Sequence, residues 1–222
     1  KLENKIISWI DLIKGEVFFD SKNLSDPVLI RKDGSLLYHL PSVIDDITEN
    51  VSDVIRGDDH ISNTAYHIQI FKALGSSLPN FAHHPFLTDN EGKGFGKRIG
   101  SLSIESLKEE GYENLSLLNY LLNIGSSNDV IAEKNIEVLV NNFNLKNISS
   151  ASPKFSKEVL KSLNEDILKS YKVNEISFRI IELNKNLPQD KLWQFAKNNI
   201  SFFLEIKNWI NVINSENNVY EK

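Results

Sequence analysis

Arg56 closes a short apolar run, Asp53-Val54-Ile55-Arg56, and Gly57-Asp58-Asp59-His60 follows it directly. A guanidinium is well built to hold a carboxylate, because its planar fork donates two parallel hydrogen bonds and never loses its charge. Taken alone, Arg56 reads first as a strand-end residue paired to Asp58 or Asp59. Asp58, Asp59 and His60 also invite a metal reading. Neighbours on an extended strand point to opposite faces, however, so the three do not converge on one ion and no protein-held metal is expected. A second cationic segment, Gly92-Lys93-Gly94-Phe95-Gly96-Lys97-Arg98, reads by itself as a surface turn. Tyr38 follows the turn signal Lys32-Asp33-Gly34-Ser35 and by itself reads as a core or rim residue.

The chain that must position these residues has two textures. Up to about residue 100, short β-prone runs alternate with helices. Val17-Phe18-Phe19 and Val28-Leu29-Ile30 are strand candidates separated by a turn-like stretch, and Asp53-Val54-Ile55-Arg56 is a third. Ile68, Phe71 and Leu74 share one face of a helix predicted over residues 62–74, with Gly75 as its stop. Pro85-Phe86-Leu87 is another strand candidate, leading into the glycine-bearing loop. Farther on, Leu115, Leu118, Leu121 and Leu122 recur at helical spacing, as do Val159, Leu160, Leu163 and Ile167 after Pro153. Leu192, Phe195, Ala196, Phe203, Ile206 and Ile210 mark one last amphipathic stretch. There is no internal repeat and no Gly/Ser linker, so the helical region is expected to pack on the α/β part.

Read in order, four segments match one family. Asp33-Gly34-Ser35-Leu36-Leu37-Tyr38-His39-Leu40 precedes Val43-Ile44-Asp45-Asp46, and Val54-Ile55-Arg56-Gly57-Asp58-Asp59-His60-Ile61-Ser62-Asn63-Thr64 comes next. His84-Pro85-Phe86-Leu87 then leads to Gly94-Phe95-Gly96-Lys97-Arg98, and Gly111-Tyr112, Leu118-Asn119-Tyr120-Leu121 and Ile124-Gly125 close the series. This order and spacing resembles the bacterial glutamyl-tRNA synthetases, which are class I aminoacyl-tRNA synthetases. Ser152-Pro153-Lys154-Phe155 with Leu163-Asn164, then Leu192-Trp193 through Trp209, resemble that family's stem-contact and following helical regions.

The resemblance implies an α/β fold followed by an all-α part: the second half of a Rossmann-type catalytic domain, then helices. It puts the end of an acceptor-domain insertion and the catalytic half in residues 1–100, a stem-contact region in 101–170, and the start of an anticodon-side domain in 171–222. The implied reaction is activation of glutamate by ATP, with magnesium on the phosphates, and transfer of the glutamyl group to the 3' end of tRNA. Tyr38 and Arg56 would contact glutamate, while Asp59, His60, Leu87 and Lys97 would lie at ATP. Gly94, Phe95, Gly96, Lys97 and Arg98 correspond to the mobile lysine motif, in which Lys97 offsets phosphate charge. Gly94 stands where a lysine is common and Gly96 where a serine is common. Two glycines make loop closure entropically dearer. No histidine signature of the first catalytic half is found. The chain alone is therefore expected to be inert and its parent a monomer.

Three rivals are weighed: glutaminyl-tRNA synthetase, the shortened paralogue that glutamylates a modified tRNA base, and a non-enzymatic RNA-binding fragment. The helical character of residues 126–222 argues against the first two. Composition narrows the remaining classes. The formal net charge is -5, so no bulk basic character advertises nucleic-acid binding, although a local face can still bind RNA. With no cysteine there are no disulfides, thiolate metal sites or cysteine nucleophiles. No apolar run is long enough to span a bilayer and no signal-peptide pattern opens the chain, which points to the cytoplasm. Methionine is absent even at position 1, which reads as an internal fragment or a processed chain.

Overall fold

The computed structural model describes residues 2–3, 5–95, 102–126, 131–186 and 188–219, which fall into two compact units. The first comprises Lys1–Leu87 and Asn144–Pro153. It holds strands β1 (Ile6–Asp11), β2 (Gly15–Asp20), β3 (Asp53–Gly57) and β4 (Asn80–His84), with helices α1 (His39–Thr48) and α2 (Ile61–Ala73). The sheet runs β2-β1-β4-β3; β1 and β2 form an antiparallel hairpin, and β4 lies parallel to both β1 and β3.

Period-two alternation fixes which face of the sheet is inward. On β1, Ile7, Trp9 and Asp11 are buried while Ile6, Ser8 and Ile10 are exposed. The inward face packs Ile7, Trp9 and Phe81 against Ala65 and Ile68 of α2. Ile70 and Phe71 of α2 turn the other way and meet Val43 of α1. Covered by the sheet on one flank and by α1 on another, α2 is apolar on both. It ends where Gly75, at φ +71°, lets its own N–H and that of Ser76 reach back to the carbonyls of Lys72 and Phe71.

Three local expectations needed correction. The strand expected at residues 85–87 is β4, which stops at His84; Pro85 has no N–H to donate and ends the ladder. Val28-Leu29-Ile30 contributes only an isolated bridge from Ile30 to Leu36 across a tight turn at Gly34. The last amphipathic stretch is broken in two, as described next.

The second unit comprises Thr88–Phe143 and Lys154–Lys222. Its helices are α3 (Ile104–Glu110), α4 (Asn114–Asn123), α5 (Ile136–Asn142), α6 (Lys157–Ser170), α7 (Val173–Leu183), α8 (Gln189–Ala196) and α9 (Ile206–Val219). Leu168, Ile176, Ile180, Leu192, Trp193, Ala196, Ile206 and Ile210 form one buried cluster drawn from α6 to α9. Asn199 separates α8 from α9 by capping the C-terminal carbonyls of the former: its amide side chain donates to Phe195 and its backbone N–H to Ala196. Asn164 of α6, fully buried, accepts from the Glu113 N–H and the Ser116 hydroxyl and donates to the Ser201 carbonyl. Those three bonds occupy both acceptor positions and one of the two donors of the amide, which offsets the cost of burying it. Among the described residues no helix is long and apolar enough to cross a membrane.

Candidate active site

Arg56 and His83 are register partners on the parallel strands β3 and β4, so both side chains leave the face that α2 covers. Thr64 lies in the first turn of α2, and Tyr38 directly precedes α1. The fold thus gathers four residues from four elements. The Arg56 guanidinium donates from Nη1 to the Tyr38 hydroxyl at 3.1 Å and from Nη2 to Thr64 Oγ1 at 2.7 Å, and its Nε approaches His83 Nε2 at 3.4 Å. An arginine has five N–H donors; these contacts use three and leave one hydrogen on each terminal nitrogen.

The strand-end ion pair that Arg56 alone suggested is not formed among the described residues. Asp58 pairs instead with Lys14, at 3.0 Å, and Asp59 reaches the His60 ring at 3.7 Å. Burial pulls the Arg56 guanidinium down from its ordinary range, opposed by Tyr38, Asp46 and Asp59, and it stays ionised. Among the described residues its hydrogen bonds all go to neutral groups, with Asp46 and Asp59 acting on it without a hydrogen bond, so a carboxylate supplied from outside would add the direct ionic partner it lacks.

Behind Arg56 stands a buried acid. Asp11 Oδ2 lies 2.5 Å from His83 Nδ1, and Asp11 Oδ1 accepts from the backbone N–H groups of His83, Ile13 and Lys14. Neither side chain of the Asp11–His83 pair is exposed. Burial tends to raise the Asp11 carboxyl, but the hydrogen bonds from Lys14, His83 and Ile13 outweigh it and hold the carboxyl below its usual value. Neither residue had a role assigned from sequence. Asp11 and His83 are 72 positions apart, and nothing short of the β1–β4 pairing joins them.

A second group of rings lines the same region. Tyr38 lies 5.4 Å from His39, 5.9 Å from His60 and 5.5 Å from His67, centroid to centroid. His67 is 1 % exposed, and among the described residues neither of its nitrogens has a hydrogen-bond partner. Burial, together with the positive charges of Arg56, His39 and His60, pushes its pKa down to about 3. His67 is therefore a neutral wall beside the guanidinium at ordinary pH. Between about 3 and the unfolded value near 6.5, the unfolded chain binds the proton that the folded chain refuses, so stability rises with pH across that window. At pH 4.5 the penalty reaches up to roughly 2–3 kcal/mol relative to pH 7. His67→Phe should flatten the slope of urea-unfolding midpoint against pH between 4.5 and 7. An unchanged slope would show that His67 takes up its proton without unfolding the chain.

The comparisons with known proteins bear on this geometry. Residues 1–162 match the profile of the family described as tRNA synthetases class I (E and Q), catalytic domain. The chain belongs to that family. Glutamate–tRNA ligase 1 of Wolbachia sp. subsp. Brugia malayi is 38% identical over 96% of this chain and 48% of its own length. The glutamate–tRNA ligase of Azospirillum brasilense is 41% identical over 94% and 47%. A crystal structure of a glutamate tRNA ligase from Elizabethkingia meningosepticum, in complex with its amino acid, superposes with a TM-score of 0.79 at 26% identity, over 92% of this chain and 46% of that one. The chain spans about half the length of these relatives.

For a class I synthetase of this branch, the residues expected at the substrates fall into three groups. Tyr38, Arg56 and His60 come together around one guanidinium and one phenol ring. Asp59 stands half-exposed at the mouth of α2, and Leu87 is half-buried three residues past β4. Gly94 and Phe95 belong to the second unit, where Gly94 bridges back to Thr88 around a turn at Gly92 and Phe95 meets the Phe155 ring edge-on at 6.0 Å. Gly96, Lys97 and Arg98 lie outside the described residues. Among those described, no group of three or more His, Asp or Glu is arranged to hold a metal ion.

Proposed function

We propose that this chain is part of a glutamate–tRNA ligase and that Arg56 with Tyr38 holds the side-chain carboxylate of glutamate. The observation that carries this reading is the state of Arg56, half-buried, with its hydrogen bonds going to neutral groups and one N–H left on each terminal nitrogen among the described residues. Glutamate's second carboxylate supplies the missing charge in a two-point contact, whereas the neutral amide of glutamine leaves the cation uncompensated. In the reaction, the α-carboxylate of glutamate attacks the α-phosphate of magnesium-bound ATP. An O–P bond forms, the bond to the β-phosphate breaks, and pyrophosphate leaves. A hydroxyl at the 3' end of tRNA then takes the glutamyl group and releases AMP. No covalent bond to the protein is needed, so the protein's contribution is positioning and charge stabilisation.

On this reading Asp59, His60 and Leu87 lie toward ATP, and Lys97, in the loop with Gly94, Phe95, Gly96 and Arg98, offsets charge on the phosphates. Residues 1–100 contribute the end of the acceptor-domain insertion and the catalytic half, 101–170 contact the tRNA stem, and 171–222 begin the anticodon-side helices. The whole enzyme works as a monomer in the cytoplasm. The helical run beyond residue 126 supports the glutamate branch over the glutamine branch. ATP–pyrophosphate exchange, with tRNA present, tests the proposal in a polypeptide of the relatives' full length that carries this chain. Exchange should depend on glutamate and be far weaker with glutamine. Exchange driven equally by glutamine, or independent of either, would overturn it.

A further inference from the structure

Resting on the reading of Arg56 just given, we propose that Asp11, His83 and Thr64 form a positioning relay that fixes the guanidinium in its substrate-holding orientation. The argument is one of hydrogen-bond direction. An ionised Asp11 can only accept, so the imidazole nitrogen 2.5 Å from it, Nδ1, must carry the proton. In a neutral ring Nε2 is then an acceptor. Thr64 Oγ1 lies 2.8 Å from Nε2 and has one proton to give. Donating it there turns the oxygen's lone pairs toward Arg56 Nη2, which lies 2.7 Å away and needs an acceptor. Arg56 Nε, at 3.4 Å, adds a weaker contact to the same imidazole nitrogen. Every donor faces its acceptor in one direction, from guanidinium to hydroxyl to ring to carboxylate.

The opposite tautomer would break the chain at two points. With the proton on Nε2, the ring would present a donor to the Arg56 N–H, and Thr64 would have to send its proton to the His60 carbonyl, 3.3 Å away. The burial of Asp11 and His83, both without exposure, keeps water from substituting for either partner. Lys14 anchors the same β-hairpin: its backbone N–H binds Asp11, and its ammonium pairs with Asp58, two residues beyond Arg56. The hairpin of β1 and β2 is therefore what aims the strand-end arginine.

Three variants test this in a full-length polypeptide carrying the chain, by amino-acid-dependent ATP–pyrophosphate exchange with tRNA present. Asp11→Asn removes the obligate acceptor, and Thr64→Val removes the hydroxyl while keeping the shape. Each should lower kcat/KM for glutamate roughly ten- to a hundred-fold, with KM for ATP within about two-fold of the parent. Thr64→Ser, which restores the hydroxyl, should stay within about three-fold of the parent. Nitrogen-15 NMR should find the His83 proton on Nδ1 in the parent and shifted toward Nε2 in Asp11→Asn. Should Asp11→Asn not fold, the valine and serine pair at position 64 decides. The relay is wrong if Thr64→Val leaves glutamate kcat/KM within two-fold, if it weakens glutamate and ATP alike, or if the parent carries the proton on Nε2. Arg56→Ala is the separate arm: if that variant keeps normal glutamate dependence, the reading of Arg56 falls, and the relay with it.

Discussion

Arg56→Ala is expected to lower kcat/KM for glutamate by roughly 30- to 4,000-fold in a polypeptide of the relatives' full length, while ATP dependence stays near normal. The range corresponds to about 2–5 kcal/mol for leaving one member of a desolvated charge pair without its partner, at 1.4 kcal/mol per decade. Arg56→Lys should recover little of it. Lysine keeps the charge but replaces a fork that reaches Tyr38, Thr64 and His83 at once with a single flexible ammonium. A purely structural arginine makes a different forecast: the melting temperature falls, and glutamate and ATP suffer together. Glutamate kinetics, ATP kinetics and thermal melting, measured on the same preparation, separate the two. A stably folded Arg56→Ala enzyme with unchanged preference for glutamate would falsify the assignment.

Lys97→Ala should lower the rate of adenylate formation by a factor on the order of 10²–10³, the scale for removing one charged stabiliser of a transition state. Glutamate binding should barely change, because the partner proposed for this lysine is phosphate. The effect belongs to the step at which negative charge builds on the leaving pyrophosphate, so single-turnover adenylation is the right measurement. Near-normal adenylation in the variant would remove Lys97 from the mechanism. Gly96→Ser, which supplies a hydroxyl donor and stiffens the loop, should leave the rate unchanged or raise it.

The parts of the site legible in the sequence are those carried by contiguous residues. Arg56 at a strand end, the turn before Tyr38 and the helix that follows His60 are all written locally, by an apolar run, an Asp-Gly pair and a helical spacing stopped at Gly75. Asp11 and His83 were invisible because their contact depends on which strands pair, a decision taken by the whole sheet. β1 itself, Ile6–Asp11, alternates cleanly in burial, yet Ile6-Ile7-Ser8-Trp9-Ile10 mixes apolar residues on both faces and hides that alternation. Helix α1 was not predicted from sequence; it carries Pro41 in its first turn, where a missing N–H costs nothing. The merged reading of α8 and α9 failed because their apolar residues serve one core from two helices, so periodicity alone carried across the break at Asn199. Metal exclusion at Asp58-Asp59-His60 was argued from strand alternation, whereas those three residues in fact form a single 3-10 turn entering α2.

The most direct test of the account is a structure of a full-length polypeptide carrying this chain with glutamate bound. The account predicts the side-chain carboxylate of glutamate within hydrogen-bonding distance of Arg56 Nη1 and Nη2, beside the Tyr38 hydroxyl, with Asp58 still on Lys14 and Asp11 still on His83. A bound glutamate whose side chain lies away from Arg56, with the guanidinium turned to Asp58 or Asp59, would contradict it.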